Sequence, residues 1–193
     1  MAEIVERCSA LDGVYRTGGI GRQAGVTMAE RRGLAITQVA AFPDTAMTVA
    51  GAIEEAFVLA PPMEPCLSTL GLDRSICWVG PQRWWLIGPA VTLDLGADGA
   101  VTDLSHGRAA IRLSGPALRD LLAKGCSLDF HPRAFRAGDC PQSAVAHIQC
   151  LIHCLDDGPT VDLYPARSYA VSLWQWLTDA AGEFGYEVLP AVA

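Results

Sequence analysis

Hydrophobic positions recur along the chain from Leu34 onward in two spacings, one typical of strands and one typical of helices. The run LAITQVAAF alternates as a half-buried strand does, and Asp44 after it can cap a helix. The apolar stripe of that helix comprises Ala46, Val49, Ile53 and Phe57. Two further β-type runs, ICWVG and RWWLI, are joined by residues 80–82 and predict a hairpin. Trp84 and Trp85 are consecutive, so they should point to opposite faces of the sheet, and both faces then need cover.

The same order of elements occurs again after residue 101. The run RAAIRLS predicts a strand, and Ser114 can cap a helix that ends at Gly125. Residues 144–155 predict one strand, which the turn DDGP joins to the strand TVDLYP, and a last helix is predicted from about Ser168. The inward positions of this half are Ala109, Ile111, Leu113, Leu118, Leu121, Leu122, Leu173, Trp174, Leu177 and Ala181.

Strand, helix and hairpin therefore follow one another twice, which predicts an α+β protein of two βαββ-type units. Each unit should have an antiparallel sheet with its helices on one side. We expect a single domain over residues 34–190, made of related halves at about 34–100 and 101–190. Residues 1–33 are interrupted by six glycines and predict a flexible N-terminal arm, ordered chiefly by contact with a partner.

Composition narrows the class of protein. Charged residues make up 18% of the chain, against about 25% in an average domain. The low charge alone is explained equally well by one large core. Together with the paired tryptophans, it predicts apolar surface that a permanent partner covers. The net charge of -7 argues against a nucleic-acid partner. No apolar run has the length of a membrane span or signal peptide, and the odd number of cysteines favours reduced thiols, so a cytoplasmic location is expected.

Asp103, Ser105 and His106 lie together in TDLSHGRAAIRLSGP and have the residue types of a hydrolytic triad. Triad residues normally come from distant parts of a chain, and the serine has no G-x-S-x-G elbow. We therefore expect Asp103 and Ser105 to fix a turn and His106 to begin a strand.

Cys150, His153 and Cys154, with His147 upstream, offer zinc-ligand types in a C-x-x-H-C spacing. On one continuous strand, however, the two thiols would share one face and the two imidazoles the other. The pattern therefore predicts buried cysteines and no metal.

Three other patterns have structural explanations. GIGRQA at 19–24 fits G-x-G-x-x-[GA], but no strong strand precedes it and no helix follows, so no dinucleotide site is expected. Glu54 and Glu55 are typical of a solvated helix face, and Asp156 and Asp157 of a turn.

The elements DLSH, RLSGP, LLAKGCSLD and HPRAF occur in this order between residues 101 and 135. GPQRWWLI precedes them, and GPTVDLYPARSYAVSLWQWL follows. In this combination the chain resembles the gamma subunits of heterotetrameric sarcosine oxidase, which belong to a superfamily that includes the glycine-cleavage T-protein. The resemblance covers about residues 34–188 and does not include the arm.

The resemblance implies an accessory subunit that has no cofactor of its own. FAD, FMN, NAD, zinc and tetrahydrofolate would belong to the alpha, beta and delta partner subunits. In the T-protein, an aspartate at the position resembling Asp129 serves folate-linked chemistry, which makes Asp129 the candidate catalytic residue of this chain. A small folate-dependent aminomethyltransferase-like protein, or the equivalent subunit of a related N-methyl amino acid dehydrogenase, remains an alternative.

Overall fold

A computed structural model of the chain describes residues 8–21 and 23–192, which form twelve strands, three α-helices and two short 3-10 helices. The helices are α1 (Ala46–Phe57), α2 (Leu118–Gly125) and α3 (Ala170–Ala181), and the 3-10 helices are Arg167–Tyr169 and Gly182–Phe184. The strands are β1 (Gly18–Ile20), β2 (Val26–Glu30), β3 (Ala35–Ala41), β4 (Ser68–Leu70), β5 (Ser75–Gly80), β6 (Arg83–Gly88), β7 (Gly99–Asp103), β8 (Ile111–Ser114), β9 (Gln142–Val145), β10 (Ile148–Asp156), β11 (Thr160–Pro165) and β12 (Tyr186–Val188).

The strands form two sheets of related order. The five-stranded sheet has the order β4-β5-β6-β3-β7, and the seven-stranded sheet has the order β1-β12-β2-β8-β11-β10-β9. All described pairings between these strands are antiparallel except that of β12 with β2. The order β4-β5-β6-β3 in one sheet corresponds to β9-β10-β11-β8 in the other, so the predicted repeat is visible in the topology.

Each sheet has helices on one face and the other sheet on its opposite face. Val39, Ile53 and Trp84 belong to the core between the five-stranded sheet and α1. Leu113, Leu121 and Leu173 belong to the core between the seven-stranded sheet and the helices α2 and α3. Between the sheets lies a third cluster, which includes Ile36, Trp85 and Tyr164. The predicted α+β class, with helices on one side of each antiparallel sheet, is confirmed.

Trp84 and Trp85 point to opposite faces of β6, as their adjacency predicts. Trp84 packs on the α1 side, Trp85 packs between the sheets, and they are 1% and 3% exposed. The chain thus covers both tryptophans itself, so they supply no apolar surface for a partner. Large apolar side chains that do remain exposed include Met47, Val58, Met63 and Leu72. Among the described residues, no helix is long and apolar enough to cross a membrane.

The expectation of a flexible arm over residues 1–33 is wrong for much of the segment that the structure describes. β2 pairs with β8 on one side and with β12 on the other, inside the seven-stranded sheet. Leu11, Val26 and Met28 are fully buried in the core of that sheet with α2 and α3. These residues are ordered by contacts within the chain, because a strand with two neighbours has its backbone groups paired on both sides. Residues 1–7 lie outside the described residues.

Several local expectations also need correction. The N-cap positions of α1 and α2 are Thr45 and Ala117, not Asp44 and Ser114. The Ser114 hydroxyl instead lies 2.5 Å from that of Thr27 on the neighbouring strand. Gly125 does end α2, and a Cβ there would lie 2.4 Å from the Trp176 ring.

Residues 144–155 are not one strand. They form most of the hairpin β9–β10, which turns at Ala146 and His147. Both turn residues have positive φ angles, 50° and 66°. The predicted boundary of the halves at residue 100 falls inside β7, which pairs with β3 as far as Asp103.

Met28→Ala should lower the free energy of unfolding by about 2–5 kcal/mol, because it removes a fully buried side chain of a central strand. Met47→Ala is the matched control, since Met47 is 74% exposed on α1, and it should change stability by less than about 0.5 kcal/mol. Urea unfolding followed by circular dichroism measures both. Equal stability of the two variants would mean that β2 is not part of the folded core.

Candidate functional site

A charged cluster lies between the two sheets and is centred on Asp162 of β11, whose side chain is 0% exposed. Arg112 of β8 donates two hydrogen bonds of 2.8 Å to its carboxylate. Arg31, just after β2, donates a third at 3.0 Å, and the Tyr164 hydroxyl lies at 3.2 Å. These donors replace the hydration that the carboxylate loses in the interior.

His153 of β10 faces the same layer and is fully buried. Its Nε2 atom lies 2.9 Å from the Ser68 hydroxyl, while its Nδ1 atom has no hydrogen-bond partner among the described residues. Burial lowers the pKa of His153 from 6.5 to about 4. Asp162 opposes this shift in pKa, and Arg112 and Arg31 add to it. The imidazole is therefore neutral near pH 7.

Two cavities flank the segment 31–34, where the chain passes from the seven-stranded sheet to the five-stranded sheet. The larger, of about 620 Å³, lies toward the β4–β5 turn and includes Arg74 and Arg112 in its wall. The smaller, of about 360 Å³, lies toward residues 8–12 and includes Arg108 and Arg167. Arg31 and Arg32 line both cavities. This concentration of arginine is unusual in a chain with a net charge of -7.

Asp103 and Ser105 fix a turn, as expected. The Asp103 carboxylate accepts a hydrogen bond of 2.8 Å from the Ser105 backbone N–H, and the Ser105 hydroxyl accepts one of 3.0 Å from the Ile36 N–H. His106 does not begin a strand: it is an exposed turn residue, and β8 begins at Ile111. The buried serine therefore holds the backbone of β3, and these three residues do not form a triad.

Cys150 and Cys154 are buried on the helix side of β10, whereas His153 points between the sheets. Burial raises the pKa of Cys150 to about 12 and that of Cys154 to about 11, so both thiols are protonated near pH 7. His147 lies exposed in the β9–β10 turn. The geometry separates these potential ligands, and no cluster of three metal-binding side chains occurs among the described residues.

Asp129 lies exposed on the connection between α2 and β9, and its carboxylate accepts a hydrogen bond of 2.8 Å from the His131 N–H. It borders a surface cavity of about 280 Å³ that also includes Pro65 and Phe135. Asp129 is remote in sequence from the Asp162 cluster and contributes no hydrogen bond to it. Its observed role is to stabilise a turn.

The remaining sequence patterns also have structural roles. Residues 19–21 of GIGRQA end β1 and enter a turn before β2, and no helix begins in the described part of 19–24, so the segment does not fit a dinucleotide. Glu54 and Glu55 are exposed on α1. The Asp156 carboxylate accepts hydrogen bonds from the Gly158 and Thr160 N–H groups, and Asp157 accepts one from Ala137.

The Asp162 cluster was not predicted from the sequence, although the sequence around its members contains a sign of it. Each of three residues has an apolar neighbour or a cysteine on both sides in its strand: Arg112, His153 and Asp162. An isolated charge at such a position indicates a buried polar partner, because an unpaired charge in a core is costly.

The chain is similar to known proteins in both sequence and fold. A family of sarcosine oxidase gamma subunits matches residues 41–183, which is well over half of the chain. The chain belongs to the sarcosine oxidase gamma subunit family. The resemblance noted in its motifs is thereby confirmed.

Individual relatives agree with the family. The gamma subunit of sarcosine oxidase from Corynebacterium sp. (strain P-1) is 33% identical over 121 residues, which cover 58% of this chain and 59% of that protein. The corresponding subunit from Arthrobacter sp. is 32% identical over 118 residues, 57% of this chain and 58% of that protein. The matched region therefore spans less than two thirds of the length of these relatives.

Two solved structures share the fold. A chain of the heterotetrameric sarcosine oxidase from Corynebacterium sp. U-96, in complex with pyrrole 2-carboxylate, aligns with a TM-score of 0.77 and 23% identity, over 92% of this chain and 96% of that one. The glycine cleavage system aminomethyltransferase T from Bartonella henselae aligns with a TM-score of 0.59 and 13% identity, over 88% of this chain and 48% of that one. The predicted likeness to the T-protein fold is confirmed, and it extends over about half of that enzyme's chain.

The buried His153 predicts acid sensitivity. The folded protein holds its pKa near 4, whereas the unfolded chain has the ordinary 6.5, so between these values only the unfolded state binds the extra proton. Stability should therefore fall as the pH decreases from about 6.5 to about 4, by up to roughly 3 kcal/mol.

His153→Gln keeps a neutral polar group there and should flatten this part of the pH dependence of the unfolding free energy. His106→Gln, at an exposed histidine, is the matched control for loss of an imidazole outside the core. Urea unfolding at several pH values measures both variants. Identical slopes for wild type and His153→Gln would contradict this origin of the acid sensitivity.

Proposed function

We propose that this chain is a non-catalytic accessory subunit of a heterotetrameric sarcosine oxidase. The observation that carries the proposal is the family match over residues 41–183. In this proposal, the cytoplasmic complex oxidatively demethylates sarcosine with oxygen and tetrahydrofolate, giving glycine, hydrogen peroxide and 5,10-methylenetetrahydrofolate. The alpha, beta and delta subunits would carry FAD, FMN, NAD, zinc and the folate site.

The proposed lack of catalysis is supported by what the candidate groups do in the fold. The Asp103 and Asp129 carboxylates accept backbone hydrogen bonds in turns, and the Ser105 hydroxyl accepts one from β3. The thiols of Cys150 and Cys154 have pKa values of about 12 and 11, so neither is a thiolate at neutral pH. Each of these groups thus makes a structural contact within the fold.

A folate-dependent aminomethyltransferase-like activity is the rival from the enzyme class. It would need Asp129 to work in a pocket that positions a substrate. Asp129 is exposed, and the likeness to the Bartonella henselae enzyme covers 48% of that enzyme's chain. These observations favour the accessory role over this rival. A related N-methyl amino acid dehydrogenase would use the same fold, and a substrate assay distinguishes it from the oxidase.

The first test is purification of the tagged chain from its own cells, followed by identification of co-purifying chains and assay of the complex. We expect larger flavin-containing subunits and oxygen-dependent turnover of sarcosine. Turnover of other N-methyl amino acids only with an artificial electron acceptor would favour the dehydrogenase. Recovery of the chain alone, with stoichiometric tetrahydrofolate binding, would contradict the accessory role and favour the aminomethyltransferase.

Asp129→Asn should leave sarcosine turnover by the assembled complex within a few-fold of wild type, because the turn that it stabilises lies outside any proposed active centre. Asp179→Asn, an exposed residue of α3, is the matched control for loss of one carboxylate. Initial rates at saturating sarcosine measure both variants. A loss of about 100-fold with intact assembly, the effect of a missing acid–base group, would place Asp129 in the reaction.

A further inference from the structure

The smaller cavity, of about 360 Å³, lies where three segments that are distant in sequence meet. They are residues 8–12, the crossing segment 30–36 and residues 108–110 before β8, with Arg167 beside them. Its volume is at the lower end of the range for small-molecule sites in proteins. Four arginines and two carboxylates line it: Arg31, Arg32, Arg108, Arg167, Asp12 and Glu30.

Two of these arginines are neutralised by carboxylates. Arg32 forms ion pairs with Glu30 at 2.7 Å and with Asp12 at 3.1 Å, and Arg31 pairs with Asp162 at 3.0 Å. Both carboxylates of the cavity wall are thus engaged by Arg32. Within the described residues, neither Arg108 nor Arg167 has a carboxylate within salt-bridge distance. Positive charge therefore remains on one side of the cavity.

Arg108 is held in place by an aromatic ring. Its guanidinium carbon lies 4.7 Å from the centroid of the Trp85 ring, so the flat cation stacks on the tryptophan between the sheets. Burial lowers the pKa of Arg108, which shows that the fold desolvates a positive charge there. Arg167 is fixed by a hydrogen bond of 2.6 Å from Nη2 to the Cys8 carbonyl oxygen. Both guanidinium groups are therefore positioned before any ligand arrives.

The larger cavity provides a comparison within the same chain. Its Arg74 pairs with Asp73 at 2.9 Å, and its Arg112 makes a bidentate pair with Asp162. The cations of that cavity are already matched by carboxylates. The smaller cavity, in contrast, is lined by two arginines that are held in place and have no carboxylate within salt-bridge distance among the described residues.

We propose that the smaller cavity binds the oxyanion group of a small molecule, a carboxylate or a phosphate, between Arg108 and Arg167. A guanidinium presents donors in a planar fork that matches such oxygens, and a preorganised fork loses little freedom on binding. An anion would restore to Arg108 the electrostatic stabilisation that burial removes. This site goes beyond the proposed accessory role, which assigns no ligand to the chain.

The test is calorimetric titration of the full-length chain, with any subunit that co-purifies, using sodium acetate and sodium phosphate as separate probes. Ionic strength is held constant with sodium chloride, since screening alone changes weak electrostatic binding. We expect saturable millimolar binding of at least one probe, and the stronger probe identifies the oxyanion class. Arg108→Gln and Arg167→Gln should each weaken it by about tenfold or more, as expected for losing a charged hydrogen bond.

Two further variants separate recognition from charge and folding. Arg133→Gln removes an exposed arginine outside the cavity and should leave the affinity unchanged. Arg108→Lys keeps the charge but not the planar fork, so it should still weaken the binding. Thermal unfolding without the probe shows whether each variant is folded. If Arg108→Gln is not folded, Arg167→Gln still tests whether the cavity binds the probe.

Three results would overturn the proposal. The first is no saturable binding of either probe, or equal affinity in wild type and both glutamine variants. The second is binding by the isolated chain that disappears in the assembled complex, which would assign the cavity to an acidic group of a partner. The third is binding that appears only after Glu3→Gln and Glu6→Gln, which would mean that the chain supplies its own anion.

Discussion

The structure depends on how one buried carboxylate is paired with two arginines between two sheets that otherwise meet mainly through apolar side chains. Asp162 is inaccessible to solvent, and it is approached by Arg112 of β8 and by Arg31, which comes just after β2. Removing Asp162 would take this carboxylate from both arginines, and breaking a buried ion pair typically costs about 3–5 kcal/mol. The cluster therefore selects one arrangement of β2, β8 and β11 from the many that apolar contacts alone would permit.

Arg31 also begins the segment through which the chain passes from one sheet to the other. β2 belongs to the seven-stranded sheet and β3 to the five-stranded sheet, with Leu34 packed between them. The chain passes back after β7, where Asp103 and Ser105 fix the turn and Leu104 packs in the same inter-sheet core. Both crossings are thus held by polar contacts beside an apolar anchor, and the two cavities lie beside the first crossing.

The sequence predicted the elements whose signals are local. Stripes such as Leu118, Leu121 and Leu122 define a helix within two turns, and ICWVG and RWWLI are separated by residues typical of turns. β2 was missed because glycines surround it and its partners, β8 and β12, come much later in the chain. The β9–β10 turn was missed because Ala146 and His147 adopt positive φ angles that Asn-Gly pairs usually occupy. The pairing of Arg31 with Asp162 likewise depends on tertiary structure and leaves only the weak signal of a charge in an apolar strand.

The pairing of β2 with β12 joins two segments that lie far apart in the sequence inside one sheet. Val26 leaves the ribosome long before Tyr186, so β2 has no β12 neighbour until the second half of this region has been synthesised. Contacts between such distant residues form slowly, and an unpaired strand edge is prone to aggregation while it waits. The five-stranded sheet, in contrast, is drawn entirely from residues 35–103 and can form while the second half is still being translated. The order of synthesis therefore favours the smaller sheet as the surface on which the larger one is completed.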